Sequence, residues 1–183
     1  LLGIHNIRNS VAAAAVALTV GISVSDIKSG LLKFKGVQRR FNKIFTYNEI
    51  DFYDDYAHHP TEIKVVLEGV NQVYEGYDKV CIFQPHRISR LKDLRKEFSF
   101  AFKKADIVIL CPVYSAGEKI KLGFSYLNFA KEIIKNSKVR LFLVNNNDQL
   151  AIFLKKNMYG KKIVIGMGAG SISNWMRQLP KIM

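Results

Sequence analysis

Apolar residues fall into two regimes along this chain. Up to about residue 37 they sit in Ala-rich and amphipathic stretches; from residue 44 onward, short continuous apolar runs alternate with helix-period segments. In the first regime NIRNSVAAAAVALTVG, at 6–21, combines the strongest helix former with a terminal glycine, which predicts a helix stopping at Gly21. Ser23 or Ser25 caps a second short helix reaching about Leu32, with Ile27 and Leu31 on one face. FKGVQRRF then reads as a loop.

The second regime opens on β-rich runs at 44–47 and 50–53, separated by Asn48-Glu49, which predicts a hairpin. Pro60 suits the first turn of a helix running to about Tyr74. Buried strands follow at 79–84, 106–111, 140–144 and 162–166, alternating with helices at 91–104, 126–135, 148–156 and 171–179. Continuous apolar strands between amphipathic helices predict an α/β fold, a mostly parallel sheet with helices on both faces. In such a sheet ligands bind outside the carboxyl ends of the strands. DYAHHP, PHRISR, PVYSAGE, NNND and GMGAGS all fall at those ends.

At 183 residues, 49% of them apolar, the chain suffices for one large domain, or a domain plus part of another. Its start, LLGIHNIRNS, lacks the features of a signal peptide, and the longest apolar stretch, at 11–20, is far shorter than the roughly 20 residues of a bilayer span. No membrane insertion is expected. Cys81 and Cys111 lie inside apolar strands without zinc-ligand spacing, as expected of reduced core cysteines in a cytoplasmic protein. The net charge of +13 raises the possibility of a nucleic-acid surface, but the lysines are dispersed and no basic helix or aromatic-interleaved motif accompanies them. A polyanionic small ligand such as a nucleotide accounts better for the arginines, and no nucleic-acid partner is expected.

His58, His59 and His86 admit three roles: metal ligation with Asp54, Asp55 and Glu62, general acid–base work, or holding a substrate. The third is preferred, because adjacent loop side chains diverge and no Ser or Cys nucleophile motif is present; no metal site is expected. Arg87 and Arg90 stand at the mouth of a strand, where two guanidinium groups can converge on one carboxylate. GMGAGS, at 166–171, is either a turn offering N–H groups to an anion or simply a tight strand-to-helix turn. Asn6 and Asn9 face one way across a helical turn, where their amides can read an adenine edge or serve as ordinary helix-start residues.

In one order, GxHNxxN before an Ala-rich helix, FxGVxRRF, DDYAHHPTEI, FQPHRISR, PVYSAGE and GAGSIS resemble the C-terminal part of the Mur ligases, in the branch that joins L-alanine to UDP-N-acetylmuramate. The resemblance spans nearly the whole chain; Ala57 and Ile88 depart mildly from it, standing where Gly and Tyr are common. It implies an ATP-dependent, Mg2+-requiring ligase of cell-wall peptidoglycan synthesis, with three domains. No GxxxxGK[ST] occurs, so residues 1–37 would be the helical tail of a P-loop ATPase domain and residues 38–183 a Rossmann-like C-terminal domain, with most Mg2+ ligands upstream. It further implies that His5, Asn6, Asn9, Arg40 and Asp55 bind ATP: the asparagines at adenine, Asp55 at the ribose, Arg40 at the phosphates. Arg87 and Arg90 would clamp the L-alanine carboxylate, with Tyr56, His58 and His86 lining a small pocket. Asp54, His59 and the Gly-rich turn receive no role, and Arg39 none that is secure. The rival reading is a Rossmann-like ligand-binding domain without catalysis.

Overall fold

Alternation of strand and helix builds a six-stranded sheet, and the computed structural model describes residues 3–118 and 124–183. Two helices come first, α1 (Ile4–Thr19) and α2 (Val24–Lys33). Gly21, at φ 83°, makes the left-handed turn that ends α1, and Ser23 caps α2 by accepting the Asp26 N–H. Neither helix contains a buried residue. A linker then leads to the hairpin β1 (Asn42–Tyr47) and β2 (Ile50–Asp55). Asn48 and Glu49 both adopt positive φ, the two-residue turn that matches the right-handed twist of paired strands.

The remaining elements are α3 (Pro60–Val73), β3 (Asp78–Phe83), α4 (Ile88–Asp93), α5 (Arg95–Ser99), β4 (Ile107–Leu110), α6 (Tyr126–Ser137), β5 (Arg140–Leu143), α7 (Asn147–Asn157), β6 (Lys162–Met167) and α8 (Ile172–Ile182). The strands lie in the order β1-β2-β6-β3-β4-β5; only β1 runs antiparallel to its neighbour. The single helix predicted at 91–104 is instead two short ones. The backbone turns at Leu94 (φ −110°) and again after Ser99, and Leu91, Phe98 and Phe102 all reach the core.

Side chains alternate across the sheet and create two apolar layers. Tyr53, Cys81, Phe83, Val108 and Leu110 pack with α3, α5 and α6 on one face. Phe52, Val80, Ile82, Ile109 and Val164 pack with α7 and α8 on the other. Cys81 and Cys111 are free and buried, and burial pushes the Cys111 thiol up to about 12. The chain steps outward from β2 through β3 and β4 to β5, then returns through α7 and inserts β6 between β2 and β3. At that reversal the carboxyl ends of β2, β6 and β3 lie side by side.

Candidate functional site

Successive residues at the end of β2 point to opposite faces, which separates the two aspartates. Asp54 turns toward α8, where Ser173 Oγ donates to its Oδ2 at 2.5 Å and Arg177 lies 3.6 Å away. Asp55 turns toward α3 and lines a cleft of about 650 Å³ together with α1, α2 and the linker. His5, Asn6, Asn9 and Arg40 line the same cleft, so all five residues expected at the nucleotide share one cavity. Ala13, Leu31, Phe34 and Val66 supply apolar walls, and His5 Nδ1 is buried without a hydrogen-bond partner among the described residues. A flat base against apolar walls with a few amide and imidazole groups fits this lining.

The electrostatics of the cleft are set by burial. The Asp55 carboxyl is pushed up to about 6 by burial, against the opposing pull of the Ala57 and Phe41 N–H groups and the Arg40 charge. Those amides reach Oδ1 and Oδ2 at 2.7 and 2.9 Å, so Asp55 also pins local backbone. Burial, helped by Arg40, holds His5 below the usual histidine value.

A second group of side chains gathers at the strand ends. The His86 ring stacks on Tyr114 at 5.5 Å between centroids, His58 stands edge-on to His86 at 5.8 Å, and Tyr56 edge-on to His58 at 5.1 Å. The loops after β3 and β4 are stitched together: Arg87 N–H donates to Tyr114 O, and Tyr114 N–H to Pro85 O, both at 2.8 Å. Arg87 sits at φ 68°, unusual for a residue with a Cβ, at the entry to α4. Arg90 Nη1 and His86 Nδ1 are buried without partners among the described residues. His86 is held below the usual value by burial and then by the charges of Arg90, His58 and Arg87, which favours a neutral ring.

The two adjacent histidines divide their work. His58 Nδ1 lies 2.9 Å from Tyr56 O and 3.3 Å from Glu62 Oε2, while its ring faces His86. His59 is the N-cap of α3: its Nδ1 accepts the Thr61 N–H, and Glu62 accepts the His58 and His59 N–H groups in return. Among the described residues no three His, Cys, Asp or Glu side chains converge to hold a metal ion.

The Gly-rich turn packs as a tight turn. Gln84 Oε1 accepts the Ile172 N–H at 2.9 Å and so occupies the start of α8. A Cβ on Gly168 would come 2.7 Å from Gln84 O, and one on Gly170 would come 2.5 Å from Tyr114 Cγ. Sequence reasoning missed Tyr114, Gln84 and Glu118, whose carboxylate accepts from Ser89 N–H and Oγ–H at the start of α4. Tyr114 and Glu118 belong to the strand-end stretch PVYSAGE, whose location is the available signal, and Gln84 is the last residue of the strand predicted at 79–84.

A mostly parallel sheet with helices on both faces, its strand order reversing where β6 inserts between β2 and β3, defines a Rossmann-like domain. Residues 39–170 match the family described as "Mur ligase, glutamate ligase domain", and the chain belongs to the Mur ligase family. It is 71% identical over 182 residues to the UDP-N-acetylmuramate–L-alanine ligase of Pelagibacter ubique, covering all of this chain and 39% of that protein. The enzyme of the same name from Brachyspira hyodysenteriae is 41% identical across 94% of this chain and 37% of its own length. Among solved structures, the UDP-N-acetylmuramate–alanine ligase of Thermotoga maritima superposes with a TM-score of 0.80 at 27% identity, over 99% of this chain and 38% of that one. The chain thus spans somewhat over a third of the relatives it matches.

Proposed function

We propose that this chain is the C-terminal portion of a cytoplasmic ATP-dependent ligase that joins L-alanine to UDP-N-acetylmuramate in peptidoglycan synthesis. The observation that carries the reading is the division of labour at the end of β2: Asp55 lines the cleft shared by His5, Asn6, Asn9 and Arg40, while Tyr56, the next residue, contacts His58 at the strand ends. Adjacent residues therefore serve a nucleotide side and an amino-acid side.

In this reading ATP phosphorylates the muramoyl carboxylate, releasing ADP. The alanine nitrogen attacks the acyl phosphate, and the amide forms as inorganic phosphate leaves. Asn6 and Asn9 meet adenine with His5 beside them, Asp55 the ribose, and Arg40 the phosphates, where it offsets charge developing during transfer. Arg87 and Arg90 clamp the alanine carboxylate in a small pocket walled by Tyr56, His58 and His86. Residues 1–37 are the end of the ATPase domain, and the exposed apolar side chains of α1 and α2, including Val11 and Leu32, fit packing against the rest of it. The P-loop and most Mg2+ ligands are supplied by that domain, so the 183-residue chain by itself has no ligase activity.

The test is a chimaera in which this chain replaces the matching 39% of the Pelagibacter ubique ligase. Phosphate release requiring ATP, UDP-N-acetylmuramate and L-alanine together is expected. A folded chimaera that stays silent with L-alanine, beside an active parent, would reject the proposal.

A further inference from the structure

Arg39 and Asp54 are tied to each other and to Tyr56 by contacts that the ligase reading leaves unused. Asp54 is fully buried, and a lone carboxylate in that position is costly unless cations and donors surround it. Ser173 supplies a hydroxyl, and Arg39 Nε stands 3.8 Å from Oδ2, with Arg177 at 3.6 Å. A second arm of the Arg39 guanidinium, Nη2, donates to Gly168 O at 2.5 Å in the Gly-rich turn. Hydrogen-bonded through Nη2 and within ion-pair distance of Asp54 through Nε, the guanidinium lies over the Tyr56 ring, 4.7 Å from its centroid. The Arg39 backbone joins in: its carbonyl accepts the Tyr56 N–H at 2.7 Å. Tyr56 is itself 36% exposed, so no core packing fixes the ring.

We propose that Arg39 is a positioning residue for the amino-acid pocket, with Asp54 as its anchor and the Tyr56 ring as the part it holds. The proposal rests on the ligase reading, because it takes Tyr56 to be a wall of that pocket. Arg39 belongs to the linker between α2 and β1, so the pocket's shape is set partly by the segment that connects the two regions of the chain. The device requires arginine: one planar group donates to Gly168, pairs with Asp54 and stacks on the ring, whereas an ammonium is a point charge without a face.

A double-mutant cycle in the chimaeric ligase tests this. Arg39→Ala is expected to raise the KM for L-alanine about tenfold while leaving the KM for UDP-N-acetylmuramate within about twofold. Tyr56→Leu is expected to raise the alanine KM too, and adding Arg39→Ala to it to change nothing further. Arg39→Lys should fail to rescue, and Asp54→Asn should shift the alanine KM in the same direction by less. If Arg39→Ala does not fold, Arg39→Lys and Asp54→Asn, each crossed with Tyr56→Leu and checked by thermal melting, carry the same comparison. Equal factors in both Tyr56 backgrounds, or equal rises for both substrates, overturn the role of Arg39. An unsubstituted chimaera that ignores L-alanine instead defeats the ligase reading, so the two failures are distinguishable.

Discussion

Phe41 donates its backbone N–H to Asp55 Oδ2 at 2.9 Å, so the carboxylate that faces the cleft also fastens the linker beside it. Arg39 and Phe41 both attach to the residues that end β2, Arg39 through the Tyr56 N–H and Phe41 through the Asp55 carboxylate. The linker is therefore fastened both beside the cleft and at the strand ends.

Asp55 makes stability depend on pH in the direction opposite to most carboxylates. Its value is raised to about 6, so its contribution to stability is fully present below the unfolded value near 3.8 and is lost as pH rises through the folded one. The loss between pH 4 and 7 amounts to about 2 kcal/mol, because a buried carboxyl is easier to keep neutral than charged. Asp51, Asp78 and Glu62 have lowered values, so their contributions fade only as pH falls through still lower values. A carbon-detected NMR titration should place the Asp55 midpoint near 6. A midpoint below 4 would show that the two amide donors outweigh burial.

Arg87→Ala in the chimaeric ligase should raise the KM for L-alanine by about ten- to a hundredfold, the size expected for one lost charge-assisted hydrogen bond. The KM for ATP should hold, because Arg87 does not line the cleft shared by Asp55, His5 and Arg40. Arg87→Lys should recover little, since the forked geometry goes with the guanidinium. Steady-state kinetics at varied L-alanine decides it, and an unchanged KM would remove Arg87 from the carboxylate clamp.

The fold was legible because it rests on local signals. Alanine and Gly21 mark α1, Asn48-Glu49 marks the hairpin, and the strand-end rule locates each polar stretch from the pattern alone. The helix at 91–104 misled because Leu91, Leu94, Phe98 and Phe102 fit a helical period. The bend at Leu94 answers to packing against the sheet, which periodicity does not encode. At the site, the groups that could bind were visible but their partners were not. Asp54 and Asp55 look alike in sequence and part only because neighbours on a strand face opposite ways. His59 and His58 separate at the turn into α3, where His59 becomes the cap. Arg39 reaches Gly168 across 129 positions, a distance that no local pattern spans.

Gln84 links the Gly-rich turn to the strand beside it and should be worth more than its polarity suggests. It is buried, accepts the Ile172 N–H and donates to Ser171 Oγ at 3.0 Å. Gln84→Ala strands the first donor of α8 in a dry setting, a cost of about 1–3 kcal/mol. Gln84→Glu retains an acceptor but buries a charge. Urea unfolding of the chain should rank wild type above both variants, and equal midpoints for wild type and Gln84→Ala would mean that the amide is solvated.

Gly170→Ala tests whether the same turn shapes the pocket or merely closes a loop. The added methyl would lie 2.5 Å from Tyr114 Cγ and 2.7 Å from Gln84 Oε1, too close for either neighbour to stay in place. Tyr114 is met at the root of its side chain, so a rotation about its outer bonds does not relieve the contact, and the ring must leave its stack on His86. Overpacking of this kind costs about 1–3 kcal/mol. Because His86 walls the pocket in the ligase reading, the KM for L-alanine should rise together with the loss of stability, while the KM for UDP-N-acetylmuramate stays put. Thermal melting and kinetics on the chimaera separate the possibilities. A destabilised enzyme with normal alanine kinetics would make the turn purely architectural, and an enzyme unaffected in both would mean that Tyr114 yields without cost.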